Sequence, residues 1–408
     1  MERGPVVALI DGEHHPAAVR DALERLDRER GVSAVVFCGG EEKVRGEVLA
    51  EPERHYGFAI EHDAEAVLRG ARAAGARAVV DLADEPVLPP PVKLRLAALA
   101  LHAGLPYEAP GTLLTPPRYE PVQFDGPKLA VIGTGKRTGK TAVAGHWAGL
   151  LRARGVAPVI VSMGRGGPAE PQVAQAGTSL ADLRAIAMNG RHAASDYLED
   201  AVLAGVPTVG CRRVGGGLAG EPFESNVPDG ARLAASLEPD VLIFEGSGSC
   251  IPPLEADATV CVVGREADLS GLGIYPLLRS RLALLMGDHD YGDLPCPSLR
   301  CTLVTEPVEV PHPDARVALF TTGATYADSV EPVVASTALA RRSELDRELD
   351  RAAAERCDVY LVELKAAAID TVAVRAEREG ARLVFLRNRP VAIDTDLDAE
   401  LLELHNRV

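Results

Sequence analysis

Short apolar runs alternate with longer amphipathic stretches along most of the chain, and that alternation predicts a parallel α/β architecture. "VVALID" at 6–11 reads as a strand buried on both faces, and "PAAVRDALERLDRERG" at 16–31 as a helix opened by proline and closed by glycine. "VSAVVFCGG" (32–40), an apolar helix ending in "RAAGA", and "RAVVDLAD" (77–84) continue the βαβα pattern. "EPVLPPP" (85–91) is a loop and "VKLRLAALALHAG" (92–104) a further helix. After a linker, "RYEPVQFDGP" (118–127), the strand "KLAVIGTG" (128–135) runs into a glycine loop and the helix "TAVAGHWAGLLRARG" (141–155). "VAPVIVSMGRGGP" (156–168) supplies a second strand and loop. A long stretch rich in Gly, Ala and polar residues then leads to the buried strands "PDVLIFEGSGSCIPP" (239–253) and "ATVCVVG" (258–264).

The joint "TEPVEVPHPDA" (305–315) opens a last segment. It holds the strands "RVALFTTG" (316–323), "DVYLVEL" (358–364) and "ARLVFLRNRP" (381–390), with the charged amphipathic helix "SELDRELDRAAAERC" (343–357) among them. The expected fold class is therefore α/β, with three-layer parallel-sheet domains. A Rossmann-like N-terminal domain spans 1–122, a central P-loop NTPase domain 123–310, and a C-terminal α/β segment 311–408.

A chain of 408 residues with 47% apolar and 25% charged residues has the composition of a globular protein with ample cores. The net charge of −16 argues against nucleic acid and anionic membranes as partners, because both reward a basic footprint. A small basic pocket for a nucleotide or sugar phosphate remains compatible with it. Seven scattered cysteines without a C-x-x-C pair argue against a zinc site or a disulfide framework, and point to a reducing cytoplasm. No secretory signal or membrane-spanning run is expected.

The chemistry concentrates in "GTGKRTGKT", residues 133–141. Strand, glycine loop and helix in succession turn backbone N–H groups and the helix dipole toward a phosphate. The candidate nucleotide loop is Gly133, Thr134, Gly135, Lys136, Arg137, Thr138, Gly139, Lys140 and Thr141. Lys140 would reach the β- and γ-phosphates of ATP, and the Thr141 hydroxyl would ligate Mg²⁺. Thr134 stands where the pattern G-x-x-x-x-G-K-[ST] asks for Gly, and Lys136 and Arg137 add charge. The second Mg²⁺ residue is Glu245, at the end of "DVLIFE" and before Gly-Ser-Gly; the alternative is a solvent-exposed strand-end glutamate. Arg191 and His192 in "NGRHAASDYLED", and Arg212 and Arg213 before a triple glycine, are candidate substrate contacts, since arginine forks match phosphate and carboxylate. His192 serves equally well as a cap or core histidine. Asp11, Glu13, His14 and His15 in "DGEHH" sit at a strand's carboxyl end and read as a polar ligand- or domain-contacting loop, or else as a metal site. Glu363 and Lys365 in "ELKAAAID" mark another strand end.

The form G-T-x-x-x-x-G-K-T resembles the phosphate loop of dethiobiotin synthetase and its P-loop class. In that class the loop after the next strand carries a cationic residue, which makes Arg165 of "SMGRGGP" a candidate catalytic residue beside Lys136, Lys140 and Glu245. Ser162 occupies the area where many of those relatives have Asp. Longer blocks carry a more specific resemblance: "ALIDGEHHP", "DLADEPVL", "GRHAASDYLEDA", "VGCRRVGGGLAGEPF", "FEGSGSCIPP", "ELKAAAID" and "NRPV" resemble the cyclic 2,3-diphosphoglycerate synthetase family over nearly the whole chain. The resemblance implies an ATP- and Mg²⁺-dependent ligase that joins the two phosphates of 2,3-diphosphoglycerate into an intramolecular phosphoanhydride, releasing ADP and phosphate. It implies Arg137, Arg165, Arg191, His192, Arg212, Arg213 and Lys365 as substrate contacts, and a homodimer. Substrate and ATP would bring about eight negative charges into one pocket, which explains the basic loop. Two other readings stay open: a kinase or ligase for another phosphorylated acid, and a P-loop switch ATPase governed by a protein partner.

Overall fold

The computed structural model describes residues 4–189, 193, 195–323 and 330–408. The chain divides into two compact units, one formed by Met1–Arg118 with Ala267–Arg279 and the other by Tyr119–Glu266 with Ser280–Val408.

In the first unit β1 (Val6–Ile10), β2 (Val32–Phe37), β3 (Ile60–Glu61), β4 (Ala78–Asp81), β5 (Tyr107–Ala109) and β6 (Thr112–Leu114) form one sheet in the order β3-β2-β1-β4-β5-β6. All neighbours are parallel except the β5–β6 hairpin. Every residue of β1 is buried, as expected of a strand covered on both faces. The helix Pro16–Arg30 starts on a His15 cap and a proline and ends at Gly31, whose φ of 86° favours glycine. Residues 267–279 fall inside the span expected for the central domain. They pack instead in this first unit, where Gly271 stands against Leu94 of the helix Pro90–His102.

The second unit is built on a single large sheet. Its strands are β7 (Lys128–Gly133), β8 (Pro158–Gly164), β9 (Gln172–Ala174), β10 (Thr208–Val214), β11 (Glu224–Ser225), β12 (Val241–Glu245), β13 (Ala258–Val263), β14 (Leu282–Met286), β15 (Ser298–Pro307), β16 (Val317–Phe320), β17 (Val334–Ser336), β18 (Val359–Glu363) and β19 (Arg382–Ala392). The order is β11-β10-β8-β12-β7-β13-β14-β15-β19-β18-β16-β17, with β9 paired to β10. Parallel pairing runs from β10 to β15 and again from β19 to β17. The two parallel halves join where β15 and β19 run antiparallel, from Cys301 opposite Ala392 to Pro307 opposite Leu386. The central and C-terminal segments thus share one sheet.

The helix Lys140–Ala153 buries Val143, Ala144, Trp147, Ala148 and Leu151, a one-sided stripe at helical spacing, in the core over β7 and its neighbours. Leu397, Leu401 and Leu404 of the C-terminal helix Leu397–Asn406 enter the same core. His146 and Asp398 meet at 2.7 Å between those helices. Burying each such large aliphatic side chain contributes about 1.5–3 kcal/mol, so the end of the chain helps to hold the phosphate-loop helix in place.

Candidate functional site

β7 delivers the loop between β12 and β13 at the carboxyl edge of the sheet. Gly133 must be glycine: a Cβ there would come 2.8 Å from Thr138 Oγ1 and 2.9 Å from the Val262 carbonyl. Gly139, with φ of 102°, turns the loop into the helix. Arg137 also holds a positive φ, 62°, without glycine's freedom, a conformation that costs about 1 kcal/mol or more and recurs at ligand sites. Thr134 has a role that accounts for its side chain: its hydroxyl accepts from Gly264 N at 3.0 Å and ties the loop to the end of β13.

Lys140 is 7% exposed, and its ammonium folds back onto its own loop, donating to the Gly135 carbonyl at 2.6 Å and Thr138 Oγ1 at 3.4 Å. Burial pulls its pKa down, against the pull of the Glu245 carboxylate. Lys136 and Arg137 are exposed on the loop's outer rim.

Glu245 is 2% exposed, so the solvated strand-end reading falls away. Thr141 Oγ1 donates to its Oε1 at 2.5 Å, and Ser162 Oγ to its Oε2 at 2.7 Å. Register explains the second bond, because Glu245 and Ser162 are direct partners across β12 and β8. Burial raises the Glu245 pKa. Oxygen donors of this kind suit Mg²⁺, which takes one or two carboxylates with phosphate oxygens and water. Among the described residues there is no group of three or more His, Cys, Asp or Glu that could hold a metal by itself.

The arginines separate into two sets. A Cβ on Gly248 would stand 2.5 Å from Arg165 Nη2 and 3.3 Å from Arg213 Nη2, so both guanidinium groups converge on the bare backbone after β12. Arg213 is 8% exposed; it donates to the Gly215 carbonyl at 2.6 Å and the Ser247 carbonyl at 2.8 Å, and its Nε has no partner among the described residues. Arg212 is its neighbour on β10 and therefore points to the opposite face, exposed. Arg191 and His192 lie outside the described residues. Lys365 sits 3.8 Å from Glu199, whose carboxylate raises the lysine's pKa; Arg137 opposes that rise. Glu363 is engaged by Thr322, whose N and Oγ1 both donate to it at 2.7 Å.

The helix Asp196–Leu203 brings Glu199 and Asp200 to the site, and neither was singled out from sequence. Their i, i+3, i+4 spacing puts them on one helix face with Asp196, and nothing in that spacing marks the face as buried. Burial lifts the Glu199 carboxyl to about 7, outweighing the Lys365 ammonium. Asp200 is 2% exposed and also shifted upward, first by burial and then by Glu245.

"DGEHH" is satisfied by its own backbone and by first-unit neighbours, and its Glu13 pairs with Lys43. Asp11 accepts from Glu13 N at 3.0 Å, His14 N at 3.3 Å and Asp84 N at 2.5 Å, and contacts His14 Nδ1 at 2.9 Å. His15 caps its helix through Ala17 N.

Family models described as the N-terminal, P-loop and C-terminal domains of cyclic 2,3-diphosphoglycerate synthetase match residues 5–114, 128–286 and 317–389. The chain belongs to the cyclic 2,3-diphosphoglycerate synthetase family. The protein of that name from Rubrobacter xylanophilus is 42% identical over 440 residues, covering 97% of this chain and 96% of its own. The one from Thermococcus gammatolerans is 37% identical, covering 98% and 97%. A solved ATP complex of LpxK from Aquifex aeolicus is a distant likeness at TM-score 0.42 and 14% identity, covering 71% of this chain and 90% of that one. No helix among the described residues is long and apolar enough to cross a membrane.

Proposed function

We propose that this member of the family uses ATP with Mg²⁺ to close 2,3-diphosphoglycerate into its cyclic phosphoanhydride, releasing ADP and phosphate. One observation carries the reading. A phosphate loop on β7 and an arginine cradle on β8 and β10 stand at the carboxyl ends of strands in one sheet, with Glu245 on β12 between them.

The transfer needs two displacements. An oxygen of one substrate phosphate takes the γ-phosphoryl group and ADP leaves. An oxygen of the other substrate phosphate then attacks the phosphorus still attached to glycerate; the new P–O–P bond closes the ring and inorganic phosphate departs. Both attacking oxygens are already anionic, so positioning and charge neutralisation suffice. Lys140 exchanges its Gly135 carbonyl for the β- and γ-phosphates. Lys136 and Arg137 offset charge at the rim, while Arg165 and Arg213 hold the phosphate remote from ATP. Thr141 and Glu245 would hold the Mg²⁺, which supplies charge neutralisation when bound. Lys365 serves as a further substrate contact; Arg191 and His192 belong to the proposal on their sequence alone, while Arg212, on the face of β10 opposite Arg213, is left out of it. The division at 122 and 310 is proposed as one of roles along the chain, with 267–279 packed in the first unit and the sheet of the second unit continuing across 310. We place the enzyme in the cytoplasm, consistent with its free cysteines, and as a homodimer, for which the exposed apolar Leu218 and Phe223 are surfaces a partner would cover.

The test is ADP release with and without 2,3-diphosphoglycerate, and with 3-phosphoglycerate in its place. The diphosphate should raise release at least about tenfold and the monophosphate should not, since the proposal needs two phosphates. Equal hydrolysis under all three conditions would sink the proposal in favour of a switch ATPase.

A further inference from the structure

The strands bring one carboxylate to the phosphate loop. Glu245 ends β12, and its register partner on β8 is the hydroxyl-bearing Ser162. Both Glu245 oxygens accept from hydroxyls, Thr141 on one side and Ser162 on the other. A second carboxyl nevertheless reaches this point from a helix. Asp200, on Asp196–Leu203, lies within hydrogen-bonding reach of Glu245, and its buried Oδ2 meets no donor among the described residues.

The packing makes room for that approach. Gly145 lies one turn beyond Thr141 on the phosphate-loop helix, hence on the same face, and a Cβ there would stand 3.3 Å from Asp200 Oδ1. Two buried carboxyls side by side, with no donor for one of their oxygens unless the pair holds a proton, form a poor structural element: apolar groups of similar size would cost less. The nearby ammonium of Lys140 donates to Gly135 and Thr138 and does not answer the need. A divalent cation does, and Mg²⁺ takes one or two carboxylates alongside its phosphate oxygens and waters.

We propose that Asp200 supplies, from the helix Asp196–Leu203, the second carboxylate of the metal site marked by Thr141 and Glu245. The inference rests on the Mg²⁺ reading above. Its rival is a carboxyl pair that shares a proton and has no part in metal binding.

The experiment is a Mn²⁺ titration of the full-length protein with ADP, followed by electron paramagnetic resonance, for the wild type and Asp200→Asn. Asparagine keeps the shape and can donate to Glu245, so the fold is expected to persist. Mn²⁺ affinity should fall by about 10- to 100-fold, the range for lost metal-supporting groups, while ADP affinity in EDTA stays within about twofold. Mn²⁺ affinity within about twofold of wild type would overturn the proposal, whatever happens to melting temperature. If the wild type itself binds Mn²⁺ no better than ADP does in buffer, the metal reading of Thr141 and Glu245 fails first. Should Asp200→Asn not fold, Asp200→Ser, with no carboxylate and a smaller side chain, takes the same test under the same criteria.

Discussion

Two strand ends in this molecule look alike in outline and differ in how their polar groups are satisfied. β1 of the first unit and β7 of the second are buried parallel strands that run through a glycine-containing loop into a helix. At β1 the charge is matched internally: Asp11 has its N–H donors, and on the neighbouring β4 Asp81 takes Lys93 Nζ at 2.7 Å, Tyr107 OH at 2.5 Å and Ala83 N at 2.9 Å. At β7 the account stays open. Among the described residues Lys140 is bonded only to its own loop and Asp200 Oδ2 and Arg213 Nε meet no partner, while Arg137 holds a strained φ. Charged residues at a strand's carboxyl end are common to both; unmet hydrogen-bonding capacity marks the one built to receive a ligand.

That contrast can be broken at either end. Lys140→Ala should have the largest effect, lowering kcat for ADP release by about 10²–10³ or more, the scale for removing one preorganised charge-stabilising donor. Its stability should change little, since the lysine is desolvated without an ion pair. Asp81→Ala should do the reverse, lowering unfolding free energy in urea by about 3 kcal/mol or more, because Lys93 and Tyr107 lose their shared buried partner, while leaving kcat of the folded fraction intact. Loss of kcat in Asp81→Ala at unchanged stability would collapse the comparison.

Smaller effects sharpen it. Arg213→Lys should raise the substrate KM by about tenfold, as a charge-assisted contact is lost, whereas Arg212→Ala on the opposite face should change it less than about twofold. Equal effects would mean that the strand does not separate the pair. The smallest signal is pH-dependent. The Glu199 pKa is raised from 4.5 to about 7, so the folded state binds more protons than the unfolded one in that window. Stability from this group is full below pH 4.5 and is lost as pH rises toward 7. Glu199→Gln should therefore lose less stability than the wild type between pH 4.5 and 7, read from urea midpoints; an identical slope would contradict the burial argument.

The strands that carry the site were legible because parallel strands buried on both faces read as unbroken apolar runs: "KLAVIG" and "VLIFE" could hardly be anything else. Gly139, Lys140 and Thr141 were equally plain. β10 was not, since "TVGCRRV" ends in charge and runs into glycines, and so resembled a loop. Its strand geometry is what parts Arg212 from Arg213. β15 was hidden for a related reason. Its exposed and half-buried positions mix, and "TEP" at its end read as a joint, although there it pairs with β19 and carries the sheet into the C-terminal segment. Asp200 was beyond reach for a different reason. Nothing local distinguishes a helical aspartate on the surface from one pressed against Glu245; only the crossing of two helices at Gly145 does.

The most direct measurement is the phosphorus NMR spectrum of the protein with Mg²⁺, ATP and 2,3-diphosphoglycerate. The two monoester signals should give way to upfield phosphoanhydride signals as ADP and phosphate appear in step, and Lys140→Ala should abolish the change. Monoester signals that persist while ATP is consumed would contradict the proposed ring closure.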